Sequence, residues 1–219
     1  MKDKRHAFEN DAIEVTWSQR RCIHAAECVR RLPPVFQPGE RPWVKLERAE
    51  ADAVAEVVQR CPTGALHFTR RDGGANEVPA EQNLVLVSAH GPTYLRGDIE
   101  IIAPDGSVLL KDTRVALCRC GASANKPLCD NAHRASGFRD AGVIDDLDSV
   151  EDLGSSVPTL RVRPQLNGPI HLDGPFTLAS SDGGTLLRGT SAWLCRCGKS
   201  GSKPFCDGSH AAGFEAEGA

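Results

Sequence analysis

One metal-ligand pattern occurs twice in this chain, seventy-seven residues apart. The first copy runs Cys118, Arg119, Cys120, then Ser123, Pro127, Cys129, Asp130 and His133; the second runs Cys195, Arg196, Cys197, then Ser200, Pro204, Cys206, Asp207, Gly208, Ser209 and His210. Each copy offers three thiolates and one imidazole within sixteen residues, a soft four-donor set suited to iron–sulfur clusters or to zinc. Structural zinc usually takes its ligands from two separated pairs with two to four residues inside each pair. Here a single residue separates Cys118 from Cys120, Cys129 follows nine later, and His133 four beyond that.

The duplication reaches well beyond the ligands. Gly91 to His133 aligns without a gap to Gly168 to His210, and twenty of the forty-three positions are identical, among them Gly97/Gly174, Asp105/Asp182, Gly106/Gly183, Leu109/Leu186 and Leu110/Leu187. One residue is inserted after the first histidine, and Gly137-Phe138 then matches Gly213-Phe214. Two copies of this size predict two small domains, since a solenoid needs three or more repeats. In the first copy, apolar runs at Asp98 to Ala103 and Val108 to Leu110 flank an Asp-Gly hairpin signal. Thr113 to Leu117 and Thr190 to Leu194 predict the strands that deliver the chain into the first cysteine. After Cys129 and Cys206 the aspartate is placed to cap a short helix carrying the histidine. Asp140 to Ser156, rich in Asp, Gly and Ser, predicts a linker.

Residues 1 to 74 follow another pattern. Ala12 to Trp17 alternates as a strand, and Glu47 to Gln59 sets Ala51, Val54, Val57 and Val58 at helical spacing. Arg70 to Asn76, with Gly73-Gly74, predicts the boundary. The domain division is therefore 1–74, 75–145 and 146–219. Aromatic residues make up 5% of the chain, against 21 Gly and 14 Pro. That favours small metal-stapled modules over one large core. A net charge of -3 without a dense basic stretch gives no case for nucleic acid. No apolar run approaches membrane-spanning length. The charged start lacks a signal-peptide core, so the nine cysteines are expected to be reduced ligands in a cytoplasmic protein.

The second copy resembles the CDGSH iron–sulfur family at Cys195, Cys197, Ser200, Pro204, Cys206, Asp207, Gly208, Ser209 and His210. The resemblance covers about two thirds of the chain. It implies a 2Fe–2S cluster on three cysteines and one histidine in each repeat, with Cys118 and Cys120, or Cys195 and Cys197, on one iron. Cys129 with His133, or Cys206 with His210, would hold the other. It also implies two β-rich units packed as an internal pseudo-twofold pair within a monomer. The first copy departs at Asn131 and Ala132 without losing a ligand, and Asn tolerates a left-handed backbone best after glycine. A histidine in place of a thiolate removes one negative charge, which raises the reduction potential, and supplies a ligand able to exchange metal for a proton. Lys126 and Lys203 are placed either to bias that exchange or simply in solvent. Ser123 and Ser200 are placed either to bond cluster sulfur or to cap a turn.

Cys22, Cys28 and Cys61 form a third set. Cys61-Pro62-Thr63-Gly64-Ala65 is similar to the closing Cys-Pro of bacterial ferredoxins, with Ala25 where a second cysteine would stand. The stretch from Cys22 to Cys61-Pro62 resembles divergent single-cluster ferredoxin domains. Three thiolates imply a 3Fe–4S cluster, or a 4Fe–4S cluster with a further ligand, for which His24 is nearest. Structural cysteines without metal are the plain alternative.

The fold expected is α+β, a small ferredoxin-like domain followed by two β-rich CDGSH units. No catalytic triad, paired-carboxylate site or phosphate loop is present. The expected function is electron transfer with a redox partner protein, not enzymatic catalysis. The alternatives are cluster storage or transfer to an apo-cluster acceptor with redox or pH sensing, and a zinc-stapled interaction module.

Overall fold

Residues 4–145, 148–152 and 158–216 are described by the computed structural model, and they divide into two units, Met1–Val78 and Pro79–Ala219. The chain is β-rich, with few and short helices.

In the first unit, β1 (Arg5–Glu9) and β2 (Ile13–Ser18) pair antiparallel, and β2 also pairs with β3 (Leu66–Arg70). The alternation read at 12–17 is real: Ile13 and Val15 are fully buried, and the residues between them are not. Two helices, α1 (Glu27–Arg31) and α2 (Ala51–Val58), complete the unit. α2 buries Ala51, Val54, Val57 and Val58, the face its periodicity assigns. It is shorter than the expected span because Ala49 and Glu50 are extended, which leaves Leu46–Arg48 as a separate 3-10 turn.

The second unit is one seven-stranded sheet: β4 (Leu84–Val87), β5 (Thr93–Ile102), β6 (Val108–Leu117), β7 (Val150–Glu151), β8 (Leu160–Pro164), β9 (Ile170–Ala179) and β10 (Leu186–Leu194). The two short strands expected at 108–110 and 113–117 are a single strand. Lys111 and Asp112 interrupt the apolar pattern without leaving the ladder, where they stand opposite Glu100 and Ile99. The Asp105-Gly106 turn closes the hairpin with Gly106 at φ +88, and Asp105 accepts the Ser107 N–H.

Each repeat places its first strand in the other. β4 lies between β5 and β9, with Val85 opposite both Leu95 and Leu178. β8 lies between β9 and β5, with Val162 opposite both Leu172 and Ile101. The registers match under the repeat: Leu84 faces Thr177, and its counterpart Arg161 faces Glu100. Val85, Leu95, Ile101, Val162, Leu172 and Leu178 therefore share one core. Gly97 (φ +146) sits where the β5–β6 register shifts, and a Cβ there would strike Asn83. The Asn83 amide ties this junction together, accepting from Asp98 N–H and donating to the carbonyls of Pro158 and Pro175.

The expected linker is only partly a linker. Its residues 146–147 and 153–156 lie outside the described residues. Ile144 is buried in the sheet core, and Val150–Glu151 pairs with Ser191 and Ala192. Buried Ile144 and partly buried Val150 anchor a segment whose composition reads as polar.

Candidate metal centres

β6 and β10 end directly in the first cysteine of each copy. The chain then turns back so that Leu117 bridges to Leu128 and Leu194 to Phe205. Cys118 N–H bonds to Pro127 O (2.9 Å) and Cys129 N–H to Ala116 O (2.8 Å), so two antiparallel segments place Cys129 opposite Ala116, two residues before Cys118. The second copy repeats this with Cys195 N–H to Pro204 O (2.8 Å) and Cys206 N–H to Trp193 O (2.9 Å). Asp130 accepts the N–H groups of Ala132 and Ala124, joining the loop to α3 (Ala132–Ala135), the turn that carries His133. Asp207 does the same for Ser209 and Gly201, and these bonds hold its carboxyl well below the usual carboxylate range. Asn131 takes the left-handed backbone at φ +78, as Gly208 does at φ +89.

The donors stand in pairs. Cys118 and Cys120 sulfurs are 3.7 Å apart, as are those of Cys195 and Cys197. Cys129 Sγ lies 3.5 Å from His133 Nδ1, and Cys206 Sγ 3.3 Å from His210 Nδ1. On one tetrahedral metal, bonds of about 2.3 Å to sulfur and about 2.0–2.1 Å to nitrogen give separations of roughly 3.8 Å between two thiolates and roughly 3.6 Å between thiolate and imidazole. The observed pairs match those spans. Among the described residues no three Cys, His, Asp or Glu side chains close around a point as a single ion's shell does. Backbone N–H groups of Ala122, Asn131, Lys199 and Gly208 each point to a cysteine sulfur at 3.4 Å, donors suited to thiolates on a cluster.

Charge within the first set is what a cation would relieve. The hydrogen bond to Cys120, together with burial, pushes Cys118 up, while the same hydrogen bond holds Cys120 down. A metal on the two sulfurs would take the place of a proton there. Burial pushes Cys129 up to about 11. Burial, then the Arg134 charge, lowers His133 below the ordinary imidazole value and favours the neutral form that binds metal.

Cys22, Cys28 and Cys61 meet at one pocket in the first unit, with Trp17, Trp43 and Glu27 also on its wall. Burial, then the neighbouring Cys61 and Cys22, pushes Cys28 up to about 11. The loop after Cys61 is held by Arg21, which donates to Thr63 O at 2.7 Å. The indole N–H groups of Trp17 and Trp43 are buried with no hydrogen-bond partner among the described residues. Orphaned donors around three thiols fit a group bearing acceptor sulfurs. His24 is exposed and stands outside the pocket wall.

Known families match both units of the chain. The family described as "Iron-binding zinc finger CDGSH type" matches residues 90–134 and 167–211, and "Divergent 4Fe-4S mono-cluster" matches residues 8–71. The chain carries two tandem domains of the CDGSH type and one of the divergent mono-cluster type. The chain is 27% identical over 64 residues to the uncharacterized protein YjdI of Escherichia coli strain K12, covering 29% of this chain and 84% of that one. The YjdI of Escherichia coli O157:H7 matches to the same extent. No solved structure matches the chain.

In both CDGSH domains the structure assigns work to residues with no role in the sequence reading. Arg119 is 4% exposed and donates to Gly91 O (3.0 Å) and Ser88 O (2.6 Å), pairs with Asp140 (2.7 Å), and lies over the Phe138 ring. Arg196 is 1% exposed, donates to Gly168 O and Gln165 O, and lies over Phe214. A charged residue kept identical between two ligand cysteines was the signal available for both. The serines and lysines prove to be loop staples. Ser123 and Ser200 Oγ donate to Leu128 O and Phe205 O at 2.7 Å, and Lys126 and Lys203 donate to the carbonyls of Ser123 and Ser200. Neither lysine is a freely solvated side chain. The two ligand loops also touch: a Cβ on Gly121 would come within 2.5 Å of Cys197 O, and one on Gly198 within 2.7 Å of Cys120 O.

Proposed function

We propose that this chain carries three iron–sulfur clusters and passes single electrons to or from a redox partner protein, as a carrier and not an enzyme. One 2Fe–2S cluster is assigned to Cys118, Cys120, Cys129 and His133, and another to Cys195, Cys197, Cys206 and His210. Cys22, Cys28 and Cys61 are assigned a 4Fe–4S or 3Fe–4S cluster. The observation that carries the reading is the pairing of donors two by two at spans suited to one metal each, which favours a dinuclear cluster over a single zinc. The protein holds the Cys-x-Cys pair on a buried strand end and supplies backbone N–H donors to the sulfurs, while the cluster itself supplies one-electron chemistry.

The first unit is read as a ferredoxin-like domain and the repeats as an internal pseudo-twofold pair in a monomer, an arrangement supported by the matched registers of β4 with β9 and β8 with β5. Domains of 1–74, 75–145 and 146–219 follow from it. Nine free cysteines suit a reducing, cytoplasmic setting. Among the described residues no helix is long and apolar enough to cross a membrane.

Counting iron, zinc and acid-labile sulfide per chain on anaerobically purified protein tests this reading. About eight irons fit a 4Fe–4S cluster beside two 2Fe–2S clusters, and about seven a 3Fe–4S cluster. Two zincs without sulfide would overturn electron transfer. A second reading, delivery of the 2Fe–2S clusters to an apo-acceptor, is favoured by the half-buried Cys206–His210 pair. Under that reading, His133→Cys with His210→Cys blocks transfer to an apo-ferredoxin.

A further inference from the structure

The pocket of the first unit is walled by two indoles as well as by Cys22, Cys28 and Cys61. Trp17 lies on the face of β2 that carries Ile13 and Val15, in register with His6 on β1 and Leu66 on β3. Trp43 lies in the loop where Phe36 bridges to Val44, and its carbonyl accepts the Gln37 N–H at 2.7 Å. The two indoles meet edge to face, centroids 5.2 Å apart at 70°, and Phe8 and Phe36 each stand 5.9 Å from the Trp43 ring. Backbone pairing and aromatic contacts thus fix both side chains. Their Nε1 atoms are sealed from solvent, and neither has a hydrogen-bond partner among the described residues. In an edge-to-face pair one ring presents its edge, so at most one N–H can rest on its neighbour's face. The cysteine sulfurs do not accept from them either. Cys61 Sγ has its own polar neighbour in Thr63 Oγ1 at 3.6 Å, and that hydroxyl accepts the Ala65 N–H, which leaves its proton for the sulfur.

We propose that the indole N–H groups of Trp17 and Trp43 donate to inorganic sulfide of the cluster held by Cys22, Cys28 and Cys61, and thereby raise its reduction potential. This rests on the reading that the three cysteines hold an iron–sulfur cluster. Such a cluster brings acceptor atoms of its own, the bridging sulfides, to the wall where the indoles stand. A buried donor without a partner destabilises a fold, and two at one pocket are placed to be satisfied together when the pocket is loaded. Reduction adds one electron, supplied by the redox partner, and with it one negative charge, so a donor to sulfur stabilises the reduced form more than the oxidised one. The indoles bind no iron and give up no proton. In the repeats the N–H groups of Ala122, Asn131, Lys199 and Gly208 that point to sulfur belong to the backbone. In the first unit the donors are side chains, and single substitutions can remove them.

The test uses the full-length protein with its clusters in place, as wild type, Trp17→Phe, Trp43→Phe and the double variant, with Trp193→Phe, the third tryptophan, as control. A redox titration followed by electron paramagnetic resonance reads the potential of the centre in the first unit. Tryptophan carrying heavy nitrogen in its indole shows whether that nitrogen couples to the signal of the same centre. The expected result is a lower potential in each single variant, a larger fall in the double variant and no change in Trp193→Phe. The coupling should be present in wild type and lost in stages through the variants. An unmoved potential in the double variant would overturn the proposal. So would a wild type without the coupling, a measurement that needs no variant to fold. A potential that falls where wild type shows no coupling would assign the change to packing alone. If iron and sulfide amount to no more than two 2Fe–2S clusters, the cluster reading of the first unit itself fails, an outcome distinct from a failure of the indole donors.

Discussion

In both CDGSH repeats a strand runs into Cys-Arg-Cys, the arginine is buried under a phenylalanine, and the loop folds back antiparallel onto the strand end. In the first repeat Asp140 pairs with Arg119, and the position aligned with Asp140 in the second repeat is Ala216. Those two residues make the same backbone contact, Asp140 O accepting from His90 N–H and Ala216 O from Asn167 N–H. Duplication has thus kept the parts that build the ligand loop and let the surrounding electrostatics and cover diverge.

The largest expected effect probes that carboxylate. Arg119→Met strands Asp140, whose side chain is 14% exposed, and removing one partner of a buried ion pair costs about 3–5 kcal/mol. In Arg196→Met the position aligned with Asp140 is Ala216, and the lost bonds to the Gly168 and Gln165 carbonyls cost about 1–2 kcal/mol. Thermal unfolding of the loaded proteins should show Arg119→Met clearly the less stable. Equal losses would mean that Asp140 contributes nothing and that the repeats are electrostatically alike.

The paired cysteines and histidines, the duplication and the hairpins were legible in the sequence because chemistry restricts them. Metal donors must be Cys and His at set spacings, and an Asp-Gly turn needs its left-handed residue. The exchange of β4 and β8 was not legible, since Leu84–Val87 reads as a strand without naming its neighbours; Val85 facing both Leu95 and Leu178 is a tertiary fact. The burial of Arg119 and Arg196 was hidden for a related reason. Arginine composition points to solvent, and only carbonyls brought close by the fold satisfy it. Helix length failed at Glu50, where apolar periodicity continued but the backbone did not.

The second effect is a pH dependence in protein stripped of metal. Burial raises Cys129 to about 11 from an ordinary value of about 8.5, so the folded state favours the thiol. Its contribution is whole below about 8.5 and is lost as pH rises through about 11, because the unfolded chain ionises first. The loss is on the order of 3 kcal/mol by linkage. Denaturant unfolding between pH 8 and 11 should show the decline, reduced in Cys129→Ala. An unchanged decline in that variant would assign it to other groups and remove burial at Cys129 as a difference between repeats.

The smallest effect on stability is the most direct on the comparison. Asn131→Gly and Gly208→Asn exchange one residue between repeats at backbones of φ +78 and φ +89. Asn pays only part of the roughly 1–2 kcal/mol that a side chain costs there, so each variant should stay within about 1 kcal/mol of the parent. Cover is expected to move much more than stability. With EDTA and N-ethylmaleimide, Asn131→Gly should speed labelling of Cys129, and Gly208→Asn should slow that of Cys206, drawing the two centres together. If stability holds and labelling does not move, the side chain at this position does not set the cover, and the difference lies elsewhere in the loop, as in the turn after His133 that is one residue longer and that neither substitution touches.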